Sequence, residues 1–127
     1  MVYDRLTGNG DVMALVNGVY DRAPQNPWGL TEAYISFGAE DTVADDAECI
    51  DGEELTIQLD IWSRKPGRVE CKKIMHAVKS ALHERDDLEL STNALSQCRL
   101  VLTRLFLDRD GLTTHGVMQF TFHVEAT

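Results

Sequence analysis

The sequence predicts an α+β domain, with a mostly antiparallel β-sheet and two helices packed on one face. Two observations lead to this class. Some segments have the alternation or composition of β-strands, while others have the 3.6-residue spacing of amphipathic helices. Their order along the chain is helix, strand, strand, helix, strand, strand. That order favours an antiparallel sheet with its helices on one side.

Length and composition indicate one folded unit. The chain has 127 residues, so we expect a single domain over 1–127, because a second core would have too little chain. Hydrophobic residues make up 43% and charged residues 26%, as in soluble folded proteins. Neither a membrane-spanning apolar run nor the apolar core of a signal peptide is evident. We therefore expect a protein that stays in the cytoplasm where it is made.

The charge of the chain is strongly acidic. Twelve Lys and Arg against 21 Asp and Glu give a net charge of −9, which argues against a general nucleic-acid-binding surface, although a local basic patch remains possible. Acidic residues concentrate between Glu40 and Glu54. A solvated acidic loop is the simpler interpretation of this segment, and a specific cation or partner site is the alternative.

The first half of the chain predicts one helix and two strands. Apolar residues at helical spacing predict a helix from Val12 to about Asn17, with Asp11 as its cap and Gly18 ending it. Pro24 and Pro27 then mark a connecting loop. Strands follow at 31–38 and 53–63; in the second, one face is apolar and the other carries Thr56, Gln58, Asp60 and Trp62.

The second half predicts a helix and a hairpin. The segment after Gly67 has an apolar helical stripe that should cover the sheet and fades near 83–87, consisting of Cys71, Ile74, Met75, Val78 and Leu82. Strands at 100–108 and 117–125 are joined by the turn residues of 108–111, which predicts an antiparallel hairpin.

A search for catalytic, cofactor or metal chemistry finds no convincing site. His76 and His83 lie two helical turns apart, too far to share a metal without a third element. Asp108 and Asp110 lack the other ligands of a calcium loop, and Gly8-Asn9-Gly10 follows no strand that would make it a phosphate loop. We therefore expect a protein that is not an enzyme and needs no cofactor.

The cysteines fit the same interpretation. Cys49, Cys71 and Cys98 are odd in number and widely spaced, which argues against a disulfide framework or a zinc site. We expect reduced, partly buried thiols, with Cys71 acting as a small apolar residue of the helix stripe rather than as a nucleophile.

Trp62 is the residue that a one-sided core explains least. A large aromatic on the nominally polar face of a strand suggests a second buried surface. Packing under a loop at the strand end is the equally simple alternative. His115 and His123 near the last strand are interpreted as solvent-face or interface residues.

Four stretches together resemble a family of short phage proteins grouped as tail completion or tail terminator proteins. They are Ala14–Asp21 with Ala23-Pro24, then Ala33–Gly38, Leu55–Arg64 with the helix that follows, and Asp110–Phe120. The resemblance covers nearly the whole chain. Two departures are Ala33, where the family usually has proline, and the acidic stretch 40–51, which matches no family pattern.

The resemblance implies a tail-terminator-like fold and a structural role in a long-tailed phage or a gene-transfer-agent-like particle. Such a subunit forms a homo-oligomeric ring, expected to be hexameric, that caps the tail tube and ends its polymerisation. Its other partners are the tail tube protein and a head-tail connector or adaptor, and it lies in the tail or neck of the virion after assembly in the host cytoplasm. DNA would pass through the lumen without specific binding, and an acidic lumen would help it slide.

Candidate subunit-interface residues are Tyr34, Trp62, Arg64 and His123, chosen for aromatic character and placement at sheet edges. Two alternative functions stay open. The first is a head-tail adaptor or tail tube protein of the same kind of particle. The second is a small α+β ligand-binding or enzymatic module with a pocket under its second helix, which predicts a polar cluster in a cavity.

Overall fold

A computed structural model describes residues 2–44, 52–82, 94–95 and 98–125 of the chain, and for 41–44, 52–53, 94–95 and 123–125 it describes the backbone alone. The described residues form three helices and a six-stranded sheet. The helices are α1 (Val2–Thr7), α2 (Gly10–Met13) and α3 (Val69–Leu82). The strands are β1 (Val19–Tyr20), β2 (Ala33–Ala44), β3 (Gly52–Ser63), β4 (Ala94–Leu95), β5 (Arg99–Leu107) and β6 (Thr114–Glu125).

The sheet is antiparallel except at one edge. Its order is β1-β2-β3-β6, and β4 and β5 both pair with the far side of β6. The short β1 pairs with β2 in parallel, while the other pairs are antiparallel. The predicted α+β class with a mostly antiparallel sheet is therefore confirmed.

Strand β3 lies at the centre of the sheet. Every residue of β3 has a partner in β6, from Gly52 with Glu125 to Ser63 with Thr114. The predicted alternation is confirmed, since Ile57, Leu59 and Ile61 are buried under the helices. They pack with the largest buried side chains of β6, namely Met118, Phe120 and Phe122.

Helix α3 covers this core. Its buried stripe consists of Cys71, Ile74, Ala77, Val78, Ala81 and Leu82. The predicted helix is confirmed through Leu82, and residues 83–87 lie outside the described ranges. Gly116 of β6 lies directly beneath it: a Cβ there would stand 2.8 Å from the Met75 sulfur and 3.0 Å from the Cys71 sulfur. Glycine thus lets the helix approach the sheet closely.

The prediction for the N-terminal segment is wrong in its helix bounds. The chain forms two short helices, α1 and α2, in place of one helix at 12–17. Asn9, not Asp11, is the cap, and its side chain accepts a hydrogen bond from the Val12 amide at 3.0 Å. The described part of the chain therefore has three helices on this side rather than two.

The sheet edge explains why the predicted helix does not continue to Asn17. The Asn17 amide donates to the Ala33 carbonyl at 2.7 Å, and the Ile35 amide donates to the Gly18 carbonyl at 3.0 Å. These bonds take the backbone of 17–18 out of any helix and into the β1–β2 ladder. The apolar residues read as one helical face still reach the core, because Val16 and Val19 are buried from an extended segment.

None of the helices described has the length and apolar character of a bilayer-crossing segment.

The turn between β5 and β6 is held by one side chain. The Asp110 carboxylate accepts hydrogen bonds from the Leu112 and Thr113 amides at 2.9 and 2.8 Å and from the Thr113 hydroxyl at 2.6 Å. Gly111 supplies the left-handed backbone that the turn requires, with φ +72. The predicted hairpin is confirmed, and β6 begins at Thr114, three residues before the predicted start.

We expect the Asp110 contacts to make the stability of the domain depend on pH in a defined window. The hydrogen bonds to Thr113 and Leu112 lower the pKa of Asp110 from 3.8 to about 2. The charged carboxylate is thus favoured in the folded state, and its contribution is present above pH 3.8 and lost as pH falls through about 2. Urea unfolding between pH 5 and pH 2 should show this loss in the wild type and not in Asp110→Asn. The exposed Asp21→Asn serves as control, and an identical pH profile for both variants contradicts the assignment.

Removing the central aromatic of the core should destabilise the domain strongly. Phe120 is fully buried, so Phe120→Ala should lower the free energy of unfolding by roughly 3–5 kcal/mol. Leu112 is 71% exposed, and Leu112→Ala should change it by less than about 0.5 kcal/mol. Urea unfolding followed by circular dichroism measures both, and equal losses for the two variants contradict this description of the core.

Candidate functional site

The sheet face opposite the helices carries a continuous row of rings. Register places Tyr34 of β2 opposite Trp62 of β3, Trp62 opposite His115 of β6, and His115 opposite Phe106 of β5. Their ring centroids are 6.1, 3.8 and 4.8 Å apart in that order, and the first two pairs are stacked. We call these four residues the aromatic row. It crosses the sheet from β2 to β5.

Further groups extend the row at its β2 end. Trp28, from the loop before β2, meets Tyr34 edge-on with centroids 4.8 Å apart. The Arg64 guanidinium carbon lies 4.1 Å from the Trp28 ring centroid, within cation–π distance. Burial raises the pKa of Tyr34 above its usual range. The row therefore ends in a cationic group beside a neutral phenol.

Trp62 packs locally rather than lying free. Its Nε1–H donates to the Ser36 hydroxyl at 3.0 Å, and its ring lies between Tyr34 and His115. The side chain stays half-buried. The chain thus supplies most of the surface that buries Trp62, and part of the ring still faces outward.

The polar residues of β3 form a ladder of side-chain hydrogen bonds beside the row. The Thr56 and Thr121 hydroxyls are 3.2 Å apart, and Gln119 donates to Gln58 at 3.2 Å. Gln58 in turn donates to Asp60 at 3.1 Å. The face that alternation marked as polar is therefore an ordered surface.

Asp60 and His115 are two ionisable groups in direct contact on this face. The His115 Nε2 and the Asp60 Oδ1 are 2.8 Å apart, and the side chains are 14% and 11% exposed. An Asp–His pair orients the base in many hydrolases. Here the imidazole is stacked against Trp62 and Phe106, so the carboxylate fixes the position of a ring within the row.

The cysteines of the described ranges offer no nucleophile. Burial raises the pKa of Cys71 to about 11 and that of Cys98 to about 12, so both thiols are neutral near pH 7. The predicted role of Cys71 as a buried helix residue is confirmed. Cys49 lies outside the described residues.

Within those same ranges, no three His, Cys, Asp or Glu side chains lie close enough to hold a metal ion. His76 is exposed on α3. His83, two helical turns further along the predicted helix, lies outside the described ranges.

The outer strand β5 exposes apolar side chains that sequence reasoning did not single out. Val101, Phe106 and Leu107 are 52%, 37% and 59% exposed. The sequence contained a signal for this exposure in two apolar runs, Leu100-Val101-Leu102 and Leu105-Phe106-Leu107. Consecutive residues of a strand point to opposite faces, so one buried face cannot cover such a run. An exposed apolar edge strand of nine residues is characteristic of a protein contact surface.

The predicted interface residues do not all come together. Tyr34 and Trp62 are neighbours in the aromatic row, and Arg64 lies at its end over Trp28. His123 of β6 pairs with Glu54 of β3 and lies eight positions along the strand from His115. At about 3.4 Å per residue, this places it well away from the row. The side chain of His123 is not described. His115 was interpreted from sequence as a solvent-face or interface residue and Phe106 was not singled out; only the strand register reveals that both belong to the row.

The fold and this surface define a class of protein: a small α+β subunit with helices on one sheet face, an aromatic row on the other and an apolar edge. The chain belongs to the family of the tail completion protein gp17, whose model matches residues 1–125. The resemblance noted in the sequence is thereby confirmed.

Solved structures agree with this membership. A chain of the virion of a native gene transfer agent particle is 25% identical, with a TM-score of 0.86, covering 98% of this chain and 92% of that one. The gp17 protein of bacteriophage SPP1 has the same fold at 21% identity, with a TM-score of 0.61, covering 95% of this chain and 84% of that one. Comparison with curated protein sequences gave no significant match. These likenesses support a structural tail-completion role.

We expect Asp60 and His115 to be energetically coupled. His115→Ala leaves the Asp60 side chain, which is 11% exposed, without its nearest partner, so it should destabilise the domain by roughly 1–3 kcal/mol. A double-mutant cycle with Asp60→Ala, measured by urea unfolding, should give a coupling of about 0.5–3 kcal/mol. The pair Thr56→Ala and His115→Ala is the matched control on the same face. A coupling for Asp60 no larger than that of the control contradicts the role given to the carboxylate.

Proposed function

We propose that this protein is a structural subunit of a phage or phage-like particle. Its copies form a closed ring, hexameric as the family resemblance implies, that caps the tail tube, ends its polymerisation and joins the tail to the head. The observation that carries the proposal is the family match across residues 1–125, supported by the likeness to a gene transfer agent virion chain over nearly the whole length.

The surfaces of the subunit suit such a ring. A ring needs two different faces of each copy to meet, because its contacts are heterologous and repeat by rotation. The exposed strand β5 and the β2 end of the aromatic row lie towards opposite lateral edges of the sheet. They are available to neighbouring copies, while the remaining faces are left for the tail tube and the connector.

The rest of the proposal concerns charge, chemistry and location. A net charge of −9 suits a lumen through which DNA passes without specific binding. The protein acts without catalysis or a cofactor, and its site of action is the tail or neck of the virion, after assembly in the host cytoplasm.

Two alternatives make different assemblies. A head-tail adaptor or tail tube protein would belong to the same particle, and tube proteins stack ring upon ring. A ligand-binding module would use a polar cluster in a cavity beneath α3. A groove does lie beside that helix, and its charged groups are exposed at the rim rather than gathered inside.

The test is to image and weigh the assemblies of the purified chain, alone and with tail tubes. We expect single rings, of one mass by native mass spectrometry, that do not stack in electron micrographs and that stop tube elongation when added. Stacked rings would favour the tube alternative. A chain that stays monomeric alone and also on completed tails would contradict the proposal.

A pair of leucine variants sharpens this test. Leu107→Asp places a charge on the apolar edge of β5, where the side chain is 59% exposed, and should weaken ring formation by roughly tenfold or more. Leu30→Asp makes the same change at a fully exposed loop position and should leave the rings unchanged. Circular dichroism verifies that both variants are folded.

A further inference from the structure

The helix layer does not extend over β5, and an open groove results. It has a volume of about 440 Å³ and lies between α3 and the inner side of β5. Its floor is apolar, formed by Met75, Leu105 and Met118, and its rim carries the cationic side chains of Lys72 and Lys79. We call this feature the basic groove.

The cations of the rim have no acidic partner among the residues that the structure describes. Lys72 and Lys79 are both exposed, and neither forms an ion pair with the described part of the chain. Such a grouping is unusual on a chain whose net charge is −9. The natural occupant is a segment that combines negative charge with apolar side chains, which would satisfy both the rim and the floor.

The chain itself carries a segment of that chemistry. The eight acidic residues between Glu40 and Glu54 are interspersed with Val43 and Ile50. The segment comprises the ends of β2 and β3 and the residues between them, of which 45–51 lie outside the described ranges. Glu40 and Glu54, near its two ends, are exposed.

Strand order separates this acidic segment from the groove of its own chain. The β2 end of the segment is separated from β5 by β3 and β6, which is three strand spacings or roughly 14 Å. At its β3 end, Glu53 pairs with Val124 of β6, six positions along that strand from Met118 in the groove floor, or roughly 20 Å. Two complementary surfaces on opposite sides of one subunit are what a head-to-tail contact between copies requires.

We propose that the basic groove receives the acidic segment 40–54 of a second copy of this chain. The inference rests on the proposed ring and names the contact that closes it. It gives the acidic segment a place between subunits rather than along a lumen. An apolar floor distinguishes this site from a phosphate-binding surface, where methionine and leucine would find no partner.

Reciprocal charge reversal tests the contact. The groove variant combines Lys72→Glu and Lys79→Glu; the segment variant combines Asp45→Lys, Asp46→Lys and Glu48→Lys. Each alone should self-associate at least roughly tenfold more weakly than the wild type, because like charges would then meet. Mixed together, they should assemble again, since in a ring of even number they can alternate so that every contact pairs opposite charges.

A matched control changes the same net charge elsewhere. Arg22 and Lys73 are exposed and do not line the groove, so their combined change to Glu should leave assembly within about threefold of the wild type. Wild-type protein supplies a second measurement that needs no variant. Equal amounts of ¹⁴N- and ¹⁵N-labelled chains, coupled with a carbodiimide, should give mixed-isotope cross-links between Lys72 or Lys79 and carboxylates of 40–54.

The outcomes separate this inference from the proposed function. Weakened single variants, recovery on mixing and mixed-isotope cross-links at 40–54 support it. If the wild type forms rings but the groove variant forms them equally well, or the cross-links join other segments, the inference is overturned and the ring stands. Duplex DNA that binds the wild type, not the groove variant, and abolishes the cross-links also overturns it. A wild type that never self-associates, alone or on completed tails, overturns both.

Discussion

The structure depends on the uninterrupted pairing of β3 with β6. Because side chains alternate along a strand, this one register decides which residues enter the core and which form the opposite face. It places Leu59 beside Met118 under the helices and Trp62 beside His115 on the outer side. A shift by one residue would expose the core and bury the hydrogen-bonded ladder.

The width of helix α3 explains why both faces of β5 are exposed. A helix with its side chains is about 10–12 Å wide, so α3 spans roughly two strands of a sheet spaced at about 4.8 Å. It packs on β3 and β6, which leaves β5 beyond the helix layer. The basic groove and the exposed apolar edge are two results of a helix layer narrower than the sheet. Both lie at the β5 edge of the sheet.

Sequence patterns predicted the parts of the fold where one periodicity dominates. The alternation at 55–62, the stripe of α3 and the turn at Asp110 each follow from local spacing, and the structure has all three. The prediction of the N-terminal helix is wrong because Val16 and Val19 reach the core from an extended segment. The hydrogen bonds of that segment go to Ala33 and Ile35, far away in sequence. Local periodicity cannot show such a competition between a helix and a sheet edge.

The candidate surface was predictable only in fragments. Tyr34 and Trp62 could be chosen as aromatic residues, but their joining with His115 and Phe106 depends on cross-strand register, which no single segment contains. His123 shares a strand with His115 without sharing its neighbours. Family resemblance supplied the expected role of the protein, whereas the arrangement of the candidate surface required the sheet order.

The apolar edge of β5 has a consequence for the time before assembly. Under the proposed function, free subunits expose these hydrophobic side chains before they join a particle, and exposed apolar surface favours aggregation. Mutual repulsion between chains of charge −9 acts over about 8 Å at physiological ionic strength and slows unguided encounters. In the proposed ring, a tail that holds copies in a fixed orientation would let the short-range apolar contacts form despite that repulsion. The combination of acidic charge and an apolar edge would then make ring formation depend on a tail that is already present, and not on the affinity between free subunits alone.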